Sequence, residues 1–119
     1  MKLVRIALLS VAVLGMVVAG AFAAGDAGKG KALFNDPRFA GGIKACSACH
    51  PNGKGLEKSG DKKEFKVMGK TQKSLEEAVN ACIVNANMGK AIDVKSQQMQ
   101  DMVAYIRSLK GPAKKSGDY

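Results

Sequence analysis

Apolar residues recur at the spacing of an α-helix in two stretches of the chain, and each stretch follows a serine. Ser74, with Glu77 three residues later, has the pattern of a capping box, which begins helices. The apolar residues behind it recur every three or four positions: Leu75, Ala78, Val79, Cys82, Ile83 and Ala86. The second stretch follows Ser96 and ends before Gly111–Pro112, a pair that stops helices. Its apolar face comprises Met99, Met102, Val103, Ile106 and Leu109. The pattern predicts two long helices.

A shorter helix is predicted near the start of the folded region. Asp26 can cap it, it runs from Gly28 to Phe34, and Asn35–Asp36–Pro37 stops it. Long connectors rich in Gly or Lys make up the rest, and no segment alternates apolar and polar residues as a strand does. The pattern therefore predicts an all-α domain of three main helices. Loops this long in so small a domain need something to pack on.

The first residues of the chain have the pattern of an export signal. Met1 to Arg5 is short and basic, Ile6 to Val18 is apolar, and Ala21–Phe22–Ala23 fits the small-x-small rule for cleavage before Ala24. The apolar run is about 13 residues long, whereas a helix that spans a bilayer needs about 20. We therefore expect the mature chain to be periplasmic or otherwise exported. The expected division is a signal peptide over 1–23, a folded domain over 24–110 and a polar tail over 111–119.

Charge and composition narrow the classes of function. The 119-residue chain has 19 Lys and Arg against 10 Asp and Glu, a formal net charge of +9, or about +7 without Lys2 and Arg5 of the signal. It has no Trp and only 5% aromatic residues, so it lacks the interleaved basic and aromatic residues of nucleic-acid binders. A basic exported domain instead favours an acidic protein partner. A folded region below about 90 residues with so few aromatics also has a thin core, which favours a cofactor as staple.

The segment Cys46–Ser47–Ala48–Cys49–His50 carries the chemistry. Cys-x-x-Cys-His is the attachment pattern of c-type haem. Two thiols three residues apart reach the two vinyl groups of one porphyrin and form thioethers, and the next residue lies under the iron. The chain has one histidine, so His50 is the predicted proximal iron ligand. We predict one covalently attached haem c, bound through Cys46 and Cys49.

Other uses of this motif fit the sequence less well. A thioredoxin-like site needs a strand before the first cysteine, and the preceding segment is Gly-rich. A structural zinc site needs a fourth ligand and would have to recruit the distant Cys82. A disulfide would leave His50 without a role.

The motif and its surroundings resemble class I c-type cytochromes. In that family a Gly and a Phe of the first helix pack against an aromatic residue of the last helix, and Gly30, Phe34 and Tyr105 match. The resemblance covers residues 26–110 and implies the cytochrome c fold, with three main helices and long loops around one haem, and single-electron transfer. The connector from Gly30 to Phe39 is also similar to the opening of dihaem cytochrome c peroxidases, whose second haem motif this sequence lacks.

The distal iron ligand has two main candidates among the methionines and the third cysteine. Met99 and Met102 lie on the apolar face of the last predicted helix, where methionine usually fills a core. Met68 lies in a Lys-rich loop. Met88 stands 17 residues before Tyr105, about where class I cytochromes place their ligand methionine, and is the favoured candidate.

Cys82 is the rival of Met88. The region from Leu75 to Ile92 is similar to thiosulfate dehydrogenases and related sulfur-oxidising cytochromes, in which a cysteine at the matching position ligates the iron. A thiolate ligand lowers the reduction potential, whereas a methionine thioether raises it. A Cys82 without this role would be an ordinary small buried residue.

We expect an exported monohaem electron carrier rather than an enzyme. No general acid, base or activated nucleophile accompanies the motif, so neither a catalytic residue nor a small-molecule substrate is predicted. Acidic redox proteins are the expected partners, and seven lysines either surround the haem edge and steer them or serve only solubility: Lys54, Lys58, Lys62, Lys63, Lys66, Lys70 and Lys73. The alternatives are a haem subunit of a sulfur-compound-oxidising enzyme, with Cys82 on the iron, and a gas-binding haem protein, if neither Met88 nor Cys82 reaches it.

Overall fold

The computed structural model describes residues 24–110, and the signal-peptide and tail predictions fall outside this range. The elements in chain order are α1 (Ala27–Phe34), β1 (Phe65–Val67), β2 (Lys70–Gln72), α2 (Leu75–Asn85) and α3 (Gln97–Ser108). Short 3-10 turns occupy much of the connector between α1 and β1. Of the helices in the described part of the chain, none combines the length and apolar character needed to cross a membrane.

Each helix begins at the cap that the sequence predicts. In all three, the side chain before the helix accepts a hydrogen bond from the backbone of the first turn: Asp26 from Lys29 at 2.9 Å, Ser74 from Glu77 at 3.1 Å and Ser96 from Met99 at 3.2 Å. Each bond satisfies a donor that the helix itself leaves free. The three predicted helices are confirmed, with ends close to those expected.

Helices α1 and α3 cross at the contact predicted from the sequence. A Cβ atom at Gly30 would overlap the backbone carbonyl of Asp101, so only glycine allows this approach. Beside it, the rings of Phe34 and Tyr105 meet edge to face, with centroids 5.0 Å apart and planes at 61°. This arrangement adds to the stability gained by burying the rings.

A small antiparallel hairpin of β1 and β2 corrects the expectation of a purely helical fold. Its turn places Met68 and Gly69 at positive φ, 52° and 79°. Two residues at positive φ are typical of tight hairpin turns, which the sequence usually signals as Asn-Gly. Because methionine holds the first position and each strand has only three residues, neither the turn nor the alternation is recognisable in the sequence.

The core lies where α1, α2 and α3 meet. Its largest fully buried side chains are Phe34, Ile83, Met99 and Met102. The burial of the two methionines agrees with their expected role as core residues. The connectors and the hairpin extend from this core and enclose a cavity beside it.

Candidate haem site

A cavity of about 460 Å³ lies between the attachment motif, the hairpin and the helices. This volume is within the range of about 300–1,000 Å³ typical of ligand and cofactor sites. Most of its walls are apolar, and the helices and hairpin contribute Phe34, Phe65, Val67, Leu75, Ala78, Val79, Met102 and Ile106. A flat hydrophobic cofactor would gain stability from these walls and would complete the thin core.

Cys46, Cys49 and His50 all lie on the wall of this cavity. One tight turn holds them together, because the N–H groups of Cys49 and His50 both donate to the Cys46 carbonyl, at 3.3 and 3.1 Å. Neither cysteine forms a disulfide in the structure. The turn therefore presents two thiols and one imidazole to the same space, as the attachment of a haem requires.

The orientation of the His50 ring is fixed by its backbone neighbour. His50 Nδ1 lies 2.9 Å from the Lys54 carbonyl oxygen, which can only accept, so Nδ1 carries the proton and donates it. The unprotonated Nε2 is then free to bind a metal, and the hydrogen bond at the other nitrogen is the usual support of a ligating histidine. The sequence identifies His50 as a ligand candidate, but it gives no sign that the Lys54 backbone carbonyl is its hydrogen-bond partner.

Cys82 lines the same cavity from α2. Burial raises the pKa of its thiol, and the proximity of Cys46 and Cys49 raises it further. The thiol is therefore neutral near pH 7 unless a cation binds it, and a metal ion deprotonates a coordinating thiol outright. Across residues 24–110, no three His, Cys, Asp or Glu side chains come close enough to hold a bare metal ion, so the zinc alternative has no support in the geometry.

Met88 does not line the cavity. Its side chain is 67% exposed, in the connector after α2. Met68 does line the cavity, at the tip of the hairpin, although its side chain is 69% exposed. The structure thus places Cys46, Cys49, His50 and Cys82 on the walls of one cavity and leaves Met88, the candidate favoured from the sequence, outside those walls.

A further polar residue at the site, Asn87, is not foreseen in the sequence. It is buried, with 6% of its surface exposed, and its Nδ2 donates to Cys46 Sγ at 3.3 Å. Burial raises the pKa of the Cys46 thiol, and this hydrogen bond acts in the opposite direction. The contact joins positions 41 residues apart, so no local sequence signal could reveal it.

The residues present fit a covalently attached haem. The Cys46 and Cys49 thiols could bind the porphyrin, and the oriented His50 imidazole could bind the iron. The Cys82 thiol lies on the α2 wall of the same, mostly apolar cavity. Cys46, Cys49 and His50 are the side chains that would hold it.

Comparison with known proteins agrees with this chemistry. Residues 29–111, well over half of the chain, match the family model of the SoxA/TsdA cytochrome c domain. No curated protein and no solved structure matches the chain significantly. The chain therefore belongs to the SoxA/TsdA cytochrome c domain family, as a c-type cytochrome related to thiosulfate dehydrogenase-type cytochromes that carries covalently attached haem c.

Proposed function

We propose that this chain is an exported monohaem electron-transfer protein of sulfur-compound oxidation, with His50 and Cys82 as the two axial ligands of the iron. The observation that carries the proposal is the shared cavity, which Cys82 lines with the attachment motif and which Met88 does not. The family match supports this proposal, because the matched family model describes the cytochrome c domain of SoxA and TsdA. In this proposal the distal ligand is Cys82, whereas the sequence favours Met88.

Each residue of the site has a separate part in this function. Cys46 and Cys49 tether the porphyrin, and His50, oriented by the Lys54 carbonyl, binds the iron through Nε2. Haem iron, when bound, gains and loses one electron. Cys82 supplies a thiolate, an electron-rich ligand that holds the potential low. The buried side chains of the cavity, Phe34 and Met102 among them, keep water from the porphyrin face.

A comparison of two variants tests the ligand assignment. Cys82→Ala is expected to open one axial position, so that the ferrous protein binds carbon monoxide and the reduction potential rises. Met88→Ala is the matched control and is expected to leave the visible spectrum and the potential as in the wild type. Loss of axial ligation in Met88→Ala, with Cys82→Ala unchanged, would overturn the assignment and leave a methionine-ligated carrier.

The role in sulfur-compound oxidation is tested separately from the ligand. The wild-type ferric haem protein, mixed with thiosulfate and with sulfite under anaerobic conditions, is expected to be reduced only when a sulfur-oxidising partner enzyme is present, because the cavity walls formed by residues 24–110 include no carboxylate and no histidine besides His50. Direct reduction by thiosulfate alone would show that the chain is itself an enzyme.

A further inference from the structure

Two large apolar side chains near the attachment motif are exposed to solvent outside the cavity. Ile43 is 70% exposed and Met88 is 67% exposed. Their chain segments run side by side, because the Ile43 N–H donates to the Asn87 carbonyl at 2.9 Å and the Lys90 N–H donates to the Ala40 carbonyl at 2.8 Å. The Asn87 carbonyl carbon is bonded to the nitrogen of Met88, so Ile43 and Met88 belong to one patch of surface.

The backbone beneath this patch is closely packed. A Cβ atom at Gly42 would lie 2.8 Å from the Asn87 carbonyl oxygen, and one at Gly89 would lie 2.9 Å from that of Ala40. Both distances are shorter than real Cβ contacts allow, so the two segments meet this closely only because each has a glycine there. The patch is therefore held in a fixed position relative to the motif.

Met88 stands in a conformation that its residue type rarely adopts. Its φ is 59°, in the left-handed region where Gly or Asn is usual. Backbone strain of this kind persists where the surrounding structure holds it, and it is concentrated at functional sites. The strained backbone here presents a large thioether side chain to solvent, which no packing contact in the cavity explains.

The patch also lies next to the place where the porphyrin is tethered. Asn87, directly before Met88, donates its side-chain amide to Cys46 Sγ at 3.3 Å and its backbone N–H to the Cys82 carbonyl at 3.0 Å. Electron transfer between proteins slows steeply with the distance between cofactors. A partner that docks on this patch would therefore lie close to Cys46, one of the two cysteines that would hold the haem.

The surrounding charge indicates the kind of partner. Lys44 follows Ile43 and Lys90 follows Met88 by two residues, and both lysines are exposed. An apolar centre with a charged rim is the usual anatomy of a protein interface, and a cationic rim attracts an acidic partner and repels a basic one.

We propose that Ile43, Met88, Lys44 and Lys90 form the docking surface for an acidic electron-transfer protein, and we call it the Ile43–Met88 face. The proposal rests on the proposed electron-transfer function and names the surface that serves it. It differs from the Lys-rich segment 54–73, in which Lys62, Lys66 and Met68 line the cavity, whereas neither Ile43 nor Met88 does.

The test measures electron transfer to the haem-loaded full chain by stopped flow, with the hydroquinone of a flavodoxin, a small acidic protein, as the reductant. Ile43→Thr keeps the branched side chain, and Met88→Asn suits the positive φ, so neither change adds backbone strain. Each is expected to lower the second-order rate constant about fivefold. Val94→Thr is the matched control, because Val94 is also an exposed apolar residue (41%) but lies outside the face, and its rate constant is expected to equal that of the wild type.

Two further measurements separate docking from damage to the haem. Oxidation of each ferrous variant by hexacyanoferrate(III), a small ion that needs no apolar contact, is expected to proceed at the wild-type rate, and each reduction potential is expected to be unchanged. Lys44→Gln and Lys90→Gln are expected to slow the flavodoxin reaction at low salt and to lose that effect at high salt.

Three outcomes would overturn the proposal. If Ile43→Thr and Met88→Asn react with flavodoxin as the wild type does, while Met68→Ser is slowed, the partner docks over the hairpin instead. A changed potential or spectrum in Met88→Asn would show that Met88 touches the cofactor and is no docking residue. A wild-type haem protein that exchanges electrons with neither reagent would refute the proposed function itself, so the two failures are distinguishable.

Discussion

Asn87 connects the attachment motif to the helix that carries Cys82. Its amide donates to Cys46 Sγ, its backbone N–H donates to the Cys82 carbonyl and its own carbonyl accepts from Ile43. Asn87 thus links three segments of the chain, by one side-chain bond and two backbone bonds. These bonds hold the end of α2, the helix that carries Cys82, next to the attachment motif.

We predict that Asn87→Leu lowers the free energy of unfolding of the haem-loaded protein by about 1–3 kcal/mol, because the buried amide that donates to Cys46 Sγ is replaced by a side chain that can make no hydrogen bond. Denaturant unfolding followed by circular dichroism measures this change. Asn85→Ala is the control, since the Asn85 amide bonds only the Ala81 carbonyl on the exposed side of α2, and a change within about 0.5 kcal/mol is expected. Equal losses in the two variants would contradict the role given to Asn87.

Residue identity alone predicts the attachment chemistry but does not decide between Met88 and Cys82 as the distal ligand. Cys46, Cys49 and His50 are recognisable because the chemistry requires them at fixed local spacing. Distance along the chain favours Met88 over Cys82. That distance does not show which side of a connector faces the cavity. Asn87 and Lys54 act through tertiary contacts and through a backbone carbonyl, and neither leaves a sequence pattern.

Among the elements, the contact between α1 and α3 depends on Gly30, because a residue with a side chain would not fit there. We predict that Gly30→Ala lowers the free energy of unfolding by about 3 kcal/mol, because the new methyl group would overlap the Asp101 carbonyl and force the helices apart. Gly28→Ala, on the exposed side of the same helix, is expected to stay within about 1 kcal/mol of the wild type. Thermal unfolding of both variants measures the difference. A Gly30→Ala protein as stable as Gly28→Ala would show that the crossing is looser than described.

Asp101 joins the start of α1 to α3 and makes this contact dependent on pH. Its Oδ1 accepts hydrogen bonds from the Asp26 N–H and from Gln97 Nε2, both at 2.8 Å. The bond from Asp26 is the main cause that holds the pKa of Asp101 below its usual value, and the bond from Gln97 adds to it. A carboxylate with a lowered pKa in the folded state stabilises the fold above its unfolded-state pKa, and this contribution is lost as the pH falls through the folded-state pKa.

We therefore predict that Asp101→Asn removes part of the loss of stability that the wild type shows below about pH 4, the ordinary pKa range of Asp. Denaturant unfolding from neutral to acidic pH measures it. Glu64→Gln, an exposed carboxylate outside this network, is the control and is expected to keep the wild-type profile. Parallel profiles for Asp101→Asn and the wild type would rule out this linkage.

Local patterns predicted the helices well and the hairpin not at all. Ser74, Ser96 and Asp26 cap their helices as expected, because capping needs only one side chain and the backbone three residues on. The hairpin has Met68 in a conformation that favours other residues, so its turn gave no signal. Its strands are fixed by packing of Phe65 and Val67 against the core rather than by their own sequence.

At the scale of the whole molecule, the haem forms part of the core. The described domain surrounds a cavity of about 460 Å³ whose mostly apolar walls include Phe34, Phe65 and Met102, so the chain without haem would have an unfilled apolar cavity beside its core. We predict that Cys49→Ser, which leaves one thioether at most, gives little stable haem protein, and that protein without haem has no cooperative thermal unfolding. Mass spectrometry of the purified wild type is expected to show one haem per chain. A Cys49→Ser protein obtained at wild-type yield with unchanged unfolding would contradict the attachment by two thioethers.

Electron paramagnetic resonance of the frozen ferric wild-type protein would test the proposed ligation of the iron by His50 and the Cys82 thiolate. A thiolate ligand gives a low-spin signal with a narrow spread of g-values, whereas methionine opposite histidine gives a wider spread. We expect the narrow signal in the wild type, and its loss in Cys82→Ala but not in Met88→Ala. A wide signal in the wild type that disappears in Met88→Ala would show instead that Met88 is the distal ligand.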